Sequence, residues 1–186
     1  MRGVGKVGII LAVIGLGATA AAGQVSQQSS VSALKGHDTN APVDVSADRI
    51  EVQDRADRAI FTGNVHATQT NMTLDTPRLT VAYSNGAGGK TQIQRLDAAG
   101  GVTVKSPTET AKGDFGIYDL DRKLITLIGN VQLNQQQNQV NGSRLVIDLD
   151  SGRAVVDGGP PGVNSSGGRV TGHFTVPQRQ QPQQKQ

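Results

Sequence analysis

Apolar and polar residues alternate along about 110 residues in the middle of the chain. Ile50 and Val52, separated by Glu51, are a short example of a pattern that recurs at intervals. A period of two is typical of β-strands that bury one face and expose the other to water. Turn-forming residues, as at 119–122 and 150–152, separate these stretches. Short strands at this spacing predict an all-β fold: a sandwich, a jelly roll or a solenoid-like roll.

One strand pattern occurs more than once. The tripeptide Gly-Asn-Val occupies residues 63–65 and again 129–131, and an Arg-Leu pair begins fifteen residues after the start of each copy, at 78–79 and 144–145. A third, less complete copy begins at Gly100. A repeat of roughly 29 to 37 residues indicates stacked supersecondary units. Because glycine inside a strand weakens the sheet, its recurrence predicts a bulge or bend that curls each strand.

The two ends of the chain differ in composition from this middle part. Residues 1–22 combine basic residues, a short apolar stretch and a run of small residues, which predicts a cleaved secretory signal peptide. The alternative is an uncleaved membrane anchor, which normally needs about 20 strongly apolar residues. We expect residues 23–40 to form a flexible linker, residues 41–176 the folded domain, and residues 177–186 a disordered tail rich in Gln and Pro.

Composition excludes several functional classes. Removing the predicted signal peptide leaves 16 basic against 15 acidic residues, so the formal net charge falls from +3 to +1. With no basic cluster and only three Phe and two Tyr, the mature chain is not predicted to bind nucleic acid. The chain contains no cysteine, which rules out thiol catalysis and cysteine-bound metal.

Catalytic and metal-binding patterns are weak. His37, His66 and His173 are far apart in the sequence and are expected to be exposed. The aspartate pairs at 119/121 and 148/150 lack the glycine and the distal glutamate of a calcium loop. The sequence has neither a nucleophile-elbow motif nor a phosphate-binding loop motif. We therefore predict a protein without enzymatic activity, metal or cofactor.

Residues 45–65 carry a family resemblance. They contain Ala-Asp-Arg-Ile at 47–50 and Ala-Ile-Phe-Thr-Gly-Asn-Val at 59–65. These motifs resemble the OstA domain family of LptA-like periplasmic lipopolysaccharide-transport proteins. The resemblance continues through Thr80 and returns at 124–148.

The resemblance implies a fold, a location and a function. The fold is an OstA-type β-jelly roll of curled, stacked antiparallel strands, open at both ends, and its apolar interior carries the acyl chains of lipopolysaccharide (LPS) in the periplasm. The family implies no catalytic residue and no cofactor. It further implies a head-to-tail homo-oligomer that bridges the inner and outer membranes, with an inner-membrane LptC-like protein at one edge and an outer-membrane LptD-like protein at the other.

Two other functions fit the same strand pattern. An LptC-like scaffold tethered to the inner membrane would retain residues 1–22 and link envelope proteins without carrying lipid. A polysaccharide-processing enzyme on a β-solenoid would have similar stacked strands. Such an enzyme would need a cluster of acids and bases on one outer face, and the sequence shows no such cluster.

The alternation assigns a set of apolar residues to the interior, where we expect them to contact lipid. Sheltering an acyl chain of a dozen carbons from water is worth roughly 10 kcal/mol, at about 0.8 kcal/mol per methylene. The alternative is that the same residues form a closed sandwich core that touches no ligand. The predicted groove residues are Ile50, Val52, Phe61, Val65, Met72, Leu74, Leu79, Val81, Leu96, Val102, Val104, Phe115, Ile117, Leu127, Val131, Leu133, Val140, Leu145 and Ile147.

The first and last strands are predicted to be unpaired edges. They lie near residues 43–52 and 144–156, and an open edge can pair with another copy of the chain. The alternative is that flexible ends or charged residues protect both edges. Arg49, Arg78 and Arg144 recur in register and are candidates for contact with lipid phosphates, or else are solvated side chains.

Overall fold

The computed structural model describes Leu34 and residues 37–86, 91–159 and 168–175. The predicted signal peptide, the predicted tail and most of the predicted linker lie outside the described residues. Among the described residues, no helix is long and apolar enough to span a membrane. A 3₁₀ turn at Asp54–Ala56 follows the second of ten strands. The strands are β1 (Asp44–Ser46), β2 (Arg49–Gln53), β3 (Arg58–Gln69), β4 (Met72–Asn85), β5 (Thr91–Lys105), β6 (Glu109–Asp119), β7 (Leu124–Gln135), β8 (Asn138–Asp148), β9 (Arg153–Asp157) and β10 (Thr171–His173).

All ten strands belong to one antiparallel sheet. Its order is β1-β3-β4-β5-β6-β7-β8-β10, while β2 pairs with the first half of β3 and β9 with the second half of β8. Within the described residues, the β1/β2 edge does not pair with the β9/β10 edge, so the sheet is open. These findings confirm the predicted all-β fold of curled antiparallel strands.

A line of register shifts crosses the sheet and divides it into two parts. We call the part that contains β2 and β9 the β2 half-sheet, and the part that contains β1 and β10 the β1 half-sheet. Their inner faces pack together, since a Cβ atom built on Gly116 of the β2 half-sheet would lie 3.1 Å from Cγ1 of Val102 in the β1 half-sheet. The shifts fall between Thr62 and Val65, Asp75 and Arg78, Ala99 and Val102, Lys112 and Phe115, and Ile128 and Val131.

Glycines form the bulges, as the repeat predicts. Gly63 and Asn64 have φ angles of +80° and +45°, and Gly129 and Asn130 have nearly the same pair, +79° and +43°. Glycine adopts a positive φ without steric cost, and asparagine tolerates it better than most residues. Gly100, with φ +92°, lies at the register shift in β5. The predicted bends at these three glycines are therefore confirmed.

An aspartate on the neighbouring strand or turn fixes two of these bulges. Nδ2 of Asn64 donates a hydrogen bond to Oδ2 of Asp48 across 2.8 Å, and Nδ2 of Asn130 donates to Oδ2 of Asp114 across the same distance. A side chain on the glycine before either asparagine would collide with that carboxylate. Each bulge is therefore held by three residues that the repeat preserves.

The most deeply buried side chains lie on the inner face close to the bend line. Leu79, Leu127 and Leu145 are all 0% exposed, and Leu127 is directly opposite Leu145 in the register of β7 and β8. Burying one leucine side chain is worth about 1.5–3 kcal/mol. The core therefore lies between the two half-sheets and holds their inner faces together.

The apolar interior as candidate functional site

Three inner rows of mostly apolar residues cross the sheet from edge to edge. Residues that are directly opposite in an antiparallel register place their side chains on the same face, which defines each row. The first row is Ile50, Phe61, Leu79, Ala98, Gly116, Leu127, Leu145 and Val156. The second row is Val52, Ala59, Val81, Leu96, Tyr118, Ile125, Ile147 and Ala154. The third row, in the β1 half-sheet, is Val45, Ala67, Leu74, Val104, Ala111, Leu133, Val140 and Gly172.

Seventeen of the nineteen predicted groove residues lie on this inner face, in the three rows or beside them. Val65, Val102 and Val131 border the bend line and are at most 2% exposed. Ile50 and Val52 also face inward, but they are 56% and 57% exposed because β2 is an edge strand. Contact between these residues and lipid stays a prediction.

The inward placement of Phe115 and Ile117 is wrong. Phe115 is 54% exposed and lies directly opposite Ile128 on the outer face, while Ile117 lies opposite Thr126. The alternation of β6 reverses at the register shift between Lys112 and Phe115: buried positions are 111 and 113 before the shift and 116 and 118 after it, while the extra residues lie in β5 and β7. β6 instead presents glycines and a tyrosine to the interior.

Two inward residues of β6 that follow this shift, Gly116 and Tyr118, are therefore missing from the predicted groove. Gly116 has no side chain to mark a face, and the apolar Phe115 and Ile117 favour the parity opposite to that of Tyr118. Positive-φ glycines lie in both adjacent strands, Gly100 in β5 and Gly129 in β7, on the line where the alternation of β6 reverses. Knowing that the bulges of neighbouring strands align would have identified both residues.

The interior between the half-sheets is tightly packed. One apolar cavity, lined by Leu96 and Tyr118 of the β2 half-sheet and by Met72 and Leu74 of the β1 half-sheet, has a volume of about 20 Å³. A second cavity, which Ile125 helps to line, has the same volume. Pockets that bind small ligands usually measure about 300–1,000 Å³. Neither of these two cavities can hold an acyl chain unless the half-sheets or their covering segment move.

Residues 37–43 cover the side of the roll away from the bend line, and we call them the N-terminal strap. Strap residues 39–43, together with residues 91–93 and 120–121 of the β2 half-sheet, line an open groove of about 360 Å³. Val43 packs against the core and lines the small cavity beneath the strap. The strap therefore closes the interior along one stretch of its length.

The side chain of Gln69 ties the strap to the sheet. This residue ends β3 and is only 2% exposed. Its Nε2 donates hydrogen bonds to the carbonyl oxygens of Thr39 at 3.2 Å and Ala41 at 2.8 Å. Its Oε1 accepts a bond of 2.9 Å from the hydroxyl of Tyr118 and lies 3.0 Å from Nε2 of His37. One buried amide thus connects the strap, the end of β3 and the inner face of β6.

The tyrosine in this network stays protonated at neutral pH. Burial raises the pKa of Tyr118 to about 12, and the negative charge of Asp38 adds to the shift. The hydroxyl therefore remains a hydrogen-bond donor to Gln69. The prediction that all three histidines are exposed holds for His66 and His173 but is wrong for His37, which is half-buried against this network.

Three of the arginines lie on the outer face, whereas Glu109 at the start of β6 is only 5% exposed and accepts a hydrogen bond from Gln135. Arg49, Arg78 and Arg144 occupy one outer row, on the side of the sheet opposite the inner rows. Arg49 is 76% exposed at its side chain and pairs with Glu51 at 3.9 Å. An acyl chain in the interior and a phosphate on these arginines would be on opposite faces of the sheet.

A second charged group lies on the outer face of the β1 half-sheet. Oδ1 of Asp75 is 2.6 Å from Nδ1 of His66, and its Oδ2 is 3.2 Å from Nζ of Lys105. The hydrogen bond from His66 is the main cause that lowers the pKa of Asp75, and Lys105 also contributes. The group is a surface network on the face of the sheet opposite the third inner row.

The edges of the sheet agree in part with the prediction. The first edge is formed by β1 and β2, which covers the predicted segment near residues 43–52. The prediction is wrong for residues 144–148, because this half of β8 pairs with β7 on one side and β9 on the other. The second edge is formed by β9 and β10.

Comparisons with known proteins place these features in a family. Residues 44–153 match the model of the family described as LptA/(LptD N-terminal domain) LPS transport protein. An uncharacterized protein from Rhizobium meliloti is 33% identical over 172 residues, which is 89% of both chains. The lipopolysaccharide export system protein LptA of Haemophilus influenzae is 28% identical over 131 residues, covering 67% of this chain and 74% of the relative.

A solved structure has the same fold. It is the crystal structure of LptH from Pseudomonas aeruginosa, described as the LptA-homologous periplasmic component of the conserved lipopolysaccharide transport device. The two chains superpose with a TM-score of 0.64 at 20% identity, over 75% of this chain and 99% of LptH. At this identity the likeness shows the fold alone.

Proposed function

The chain belongs to the family of LptA and LptD N-terminal domain LPS transport proteins, and on this premise we propose that it binds LPS in the periplasm and passes it toward the outer membrane. The family is a transport family and not an enzyme family. The proposed cargo site is the apolar interior, where acyl chains would lie against the inner rows while the sugars stay in water. The predicted cleaved signal peptide would deliver the protein to this compartment.

The continuity of the first inner row carries this proposal. The row crosses eight strands without a charged residue, from Ile50 at one edge to Val156 near the other. At a spacing of about 4.8 Å between strands, its length is roughly 34 Å. A bilayer core about 30 Å thick contains two layers of acyl chains, so the row is long enough for an extended chain.

The inner face is open to solvent at the β2 edge. Ile50 and Val52 are more than half exposed at the β2 edge, whereas large side chains in the middle of the sheet are fully buried. An apolar inner face that reaches an exposed sheet edge could continue into a second molecule. We therefore propose that copies join head to tail by strand pairing at their edges, so that the inner rows continue from copy to copy.

The partners at the two ends of such a bridge are part of the same proposal. An LptC-like inner-membrane protein would pair at one edge and an LptD-like outer-membrane protein at the other. The support is the family match, which joins LptA with the N-terminal domain of LptD in a single model and so indicates that one fold can serve several links of a chain.

Photocrosslinking tests whether cargo occupies the interior. A photoreactive amino acid at Leu79, Leu127 or Leu145 should give LPS adducts in living cells, because these side chains face inward. The same amino acid at Phe115 or Ile117 should give few adducts, because these residues lie on the outer face of the same sheet. Equal labelling from both faces, or none from the inner face in protein that remains folded, would refute the proposal.

A further inference from the structure

We infer that the N-terminal strap is a lid over the apolar interior and that Gln69 is its latch. The inference rests on the proposed function, since a lid matters for transport only if the interior receives acyl chains. It assigns to one buried amide the control of access to the site. The observations that carry it are the bonding of this amide, the position of the strap and the small volume beneath it.

The amide of Gln69 has no hydrogen-bonding capacity to spare. Both of its donated bonds go to strap carbonyls, at Thr39 and Ala41, and its oxygen is shared between Tyr118 and His37. A buried amide is costly unless its polar atoms are bonded. Removing the strap would leave the two donor hydrogens of Gln69 without these partners, so the latch favours the closed state.

The strap itself can move with little loss of secondary structure. None of residues 37–43 belongs to a strand, and the first ladder bonds of the chain begin at β1. Within the strap, the amide of Ala41 donates to the carbonyl of Asp38 at 3.3 Å, and the amide of Asn40 donates to the Asp38 carboxylate at 3.0 Å. These local bonds would survive if the strap swung away about residues 43 and 44 together with Leu34, which is 3% exposed in the core and accepts a hydrogen bond from the amide of His37.

Opening the strap would enlarge the space that acyl chains need. Val43 lines the apolar cavity of about 20 Å³ together with Leu96, Tyr118 and residues of the β1 half-sheet. With Val43 lifted, the apolar lining of this cavity would open toward the surface groove that the strap now borders. Cargo entry would thus require breaking the hydrogen bonds of the latch and lifting Val43 from the core.

Uptake of an apolar dye tests the lid without depending on LPS. The dye N-phenyl-1-naphthylamine fluoresces in apolar surroundings, and stopped-flow measurements give its rate of entry. Q69L keeps the apolar volume of the side chain but removes its three hydrogen bonds to the strap, at His37, Thr39 and Ala41, together with the bond from Tyr118. We expect Q69L to take up the dye on the order of tenfold faster than the wild type, the factor that corresponds to about one net hydrogen bond.

The matched control is Q132L, the same change on the outer face. Gln132 lies opposite Asn141 in the register of β7 and β8, away from the strap, so its loss should leave dye uptake unchanged. Hydrogen exchange at the core amides of β4 and β7 reports whether each variant is folded. Equal rates for wild type, Q132L and a folded Q69L would overturn the lid.

A measurement on the wild type alone covers the case in which Q69L does not fold. With saturating dye, the side-chain amide hydrogens of Gln69, which bond to the strap carbonyls, should exchange on the order of tenfold faster, while the β4 amides keep their protection. Unchanged or slower exchange at the Gln69 side chain would overturn the lid. LPS binding is measured separately. Dye-induced opening without LPS binding would support the lid and refute the proposed function. LPS binding without opening of the strap would support the proposed function and refute the lid.

Discussion

The side-chain amide of Asn130 donates a hydrogen bond to Oδ2 of Asp114 across 2.8 Å, sixteen residues earlier in the chain. The pair Asn64 and Asp48 repeats this bond with the same distance and the same separation. A carboxylate therefore accepts from a residue held at positive φ at each bulge, and it also fills the space where a side chain on the preceding glycine would lie. The positive φ of the glycine and the nearby carboxylate both disfavour a side chain at this position, which explains why glycine recurs there.

Replacing Gly129 with alanine should therefore destabilise the fold. The new Cβ would require a positive φ and would also collide with the carboxylate of Asp114, so we expect a loss of about 2–4 kcal/mol in the free energy of unfolding. Urea denaturation followed by circular dichroism measures this loss.

G101A is the matched control for this change. Gly101 has an even larger positive φ, +98°, but a Cβ there would meet nothing within 4 Å. G101A should thus cost only the backbone strain, about 1 kcal/mol. The double variant D114A/G129A should lose less than the sum of its two single changes, because the carboxylate that causes the collision is gone. Equal losses for G129A and G101A would show that the aspartate plays no steric part.

Two neighbouring residues of β7 should respond very differently to truncation. Leu127 is 0% exposed on the inner face, and L127A should cost about 2–5 kcal/mol because it leaves a cavity between the half-sheets. Ile128 is 41% exposed on the outer face, and I128A should change stability by less than about 1 kcal/mol. Thermal unfolding of both variants checks the assignment of faces. Similar losses for the two would contradict the register described for β7.

Alkaline pH should reveal the buried phenol of Tyr118. The pKa of this group is raised from the usual 10.0 to about 12, mainly by burial, so the folded state keeps the proton longer than the unfolded state. Between these two pH values the unfolded state binds fewer protons, and stability should fall as pH rises, at about 1.4 kcal/mol per pH unit at most.

Y118F is the control that isolates this effect. The difference in unfolding free energy between wild type and Y118F should be constant below pH 10 and should shrink above it, because phenylalanine cannot ionise. Part of the constant difference is the lost hydrogen bond to Gln69, worth about 1 kcal/mol. A difference that stays constant up to pH 12 would place the pKa of Tyr118 at its ordinary value.

The sequence predicts the architecture of this protein better than the details of its interior. The spacing of Gly63 and Gly129 identifies the bulges, since a backbone with positive φ selects glycine and leaves a mark in the sequence. Alternation fails at Phe115 and Ile117 because the parity of β6 reverses beside the bulges of β5 and β7, at a glycine that has no side chain to reveal it. The alternation of apolar and polar residues therefore predicts which face of the sheet a side chain occupies only where the register between strands is regular.

The latch at Gln69 could not be predicted from its neighbours. A glutamine at the end of a strand usually faces water, and only the return of residues 37–43 across the roll buries it. The bond to Tyr118 joins residues 49 positions apart, which no local pattern encodes. Polar groups that become buried through long-range packing leave no periodic signal, and the candidate lid is built from such groups.

The exposed valine of the β2 edge should matter for assembly and not for folding. Val52 is 57% exposed on the inner face of an edge strand, so V52K should change the free energy of unfolding by less than about 0.5 kcal/mol. If copies join at this edge as proposed, a lysine would bring a charge into the apolar seam, and self-association should weaken by about tenfold or more. Analytical ultracentrifugation measures the association. T62K adds the same charge at an exposed position on the outer face of β3 and should associate like the wild type. If V52K and the wild type associate equally, the inner face of β2 does not lie in the seam between copies.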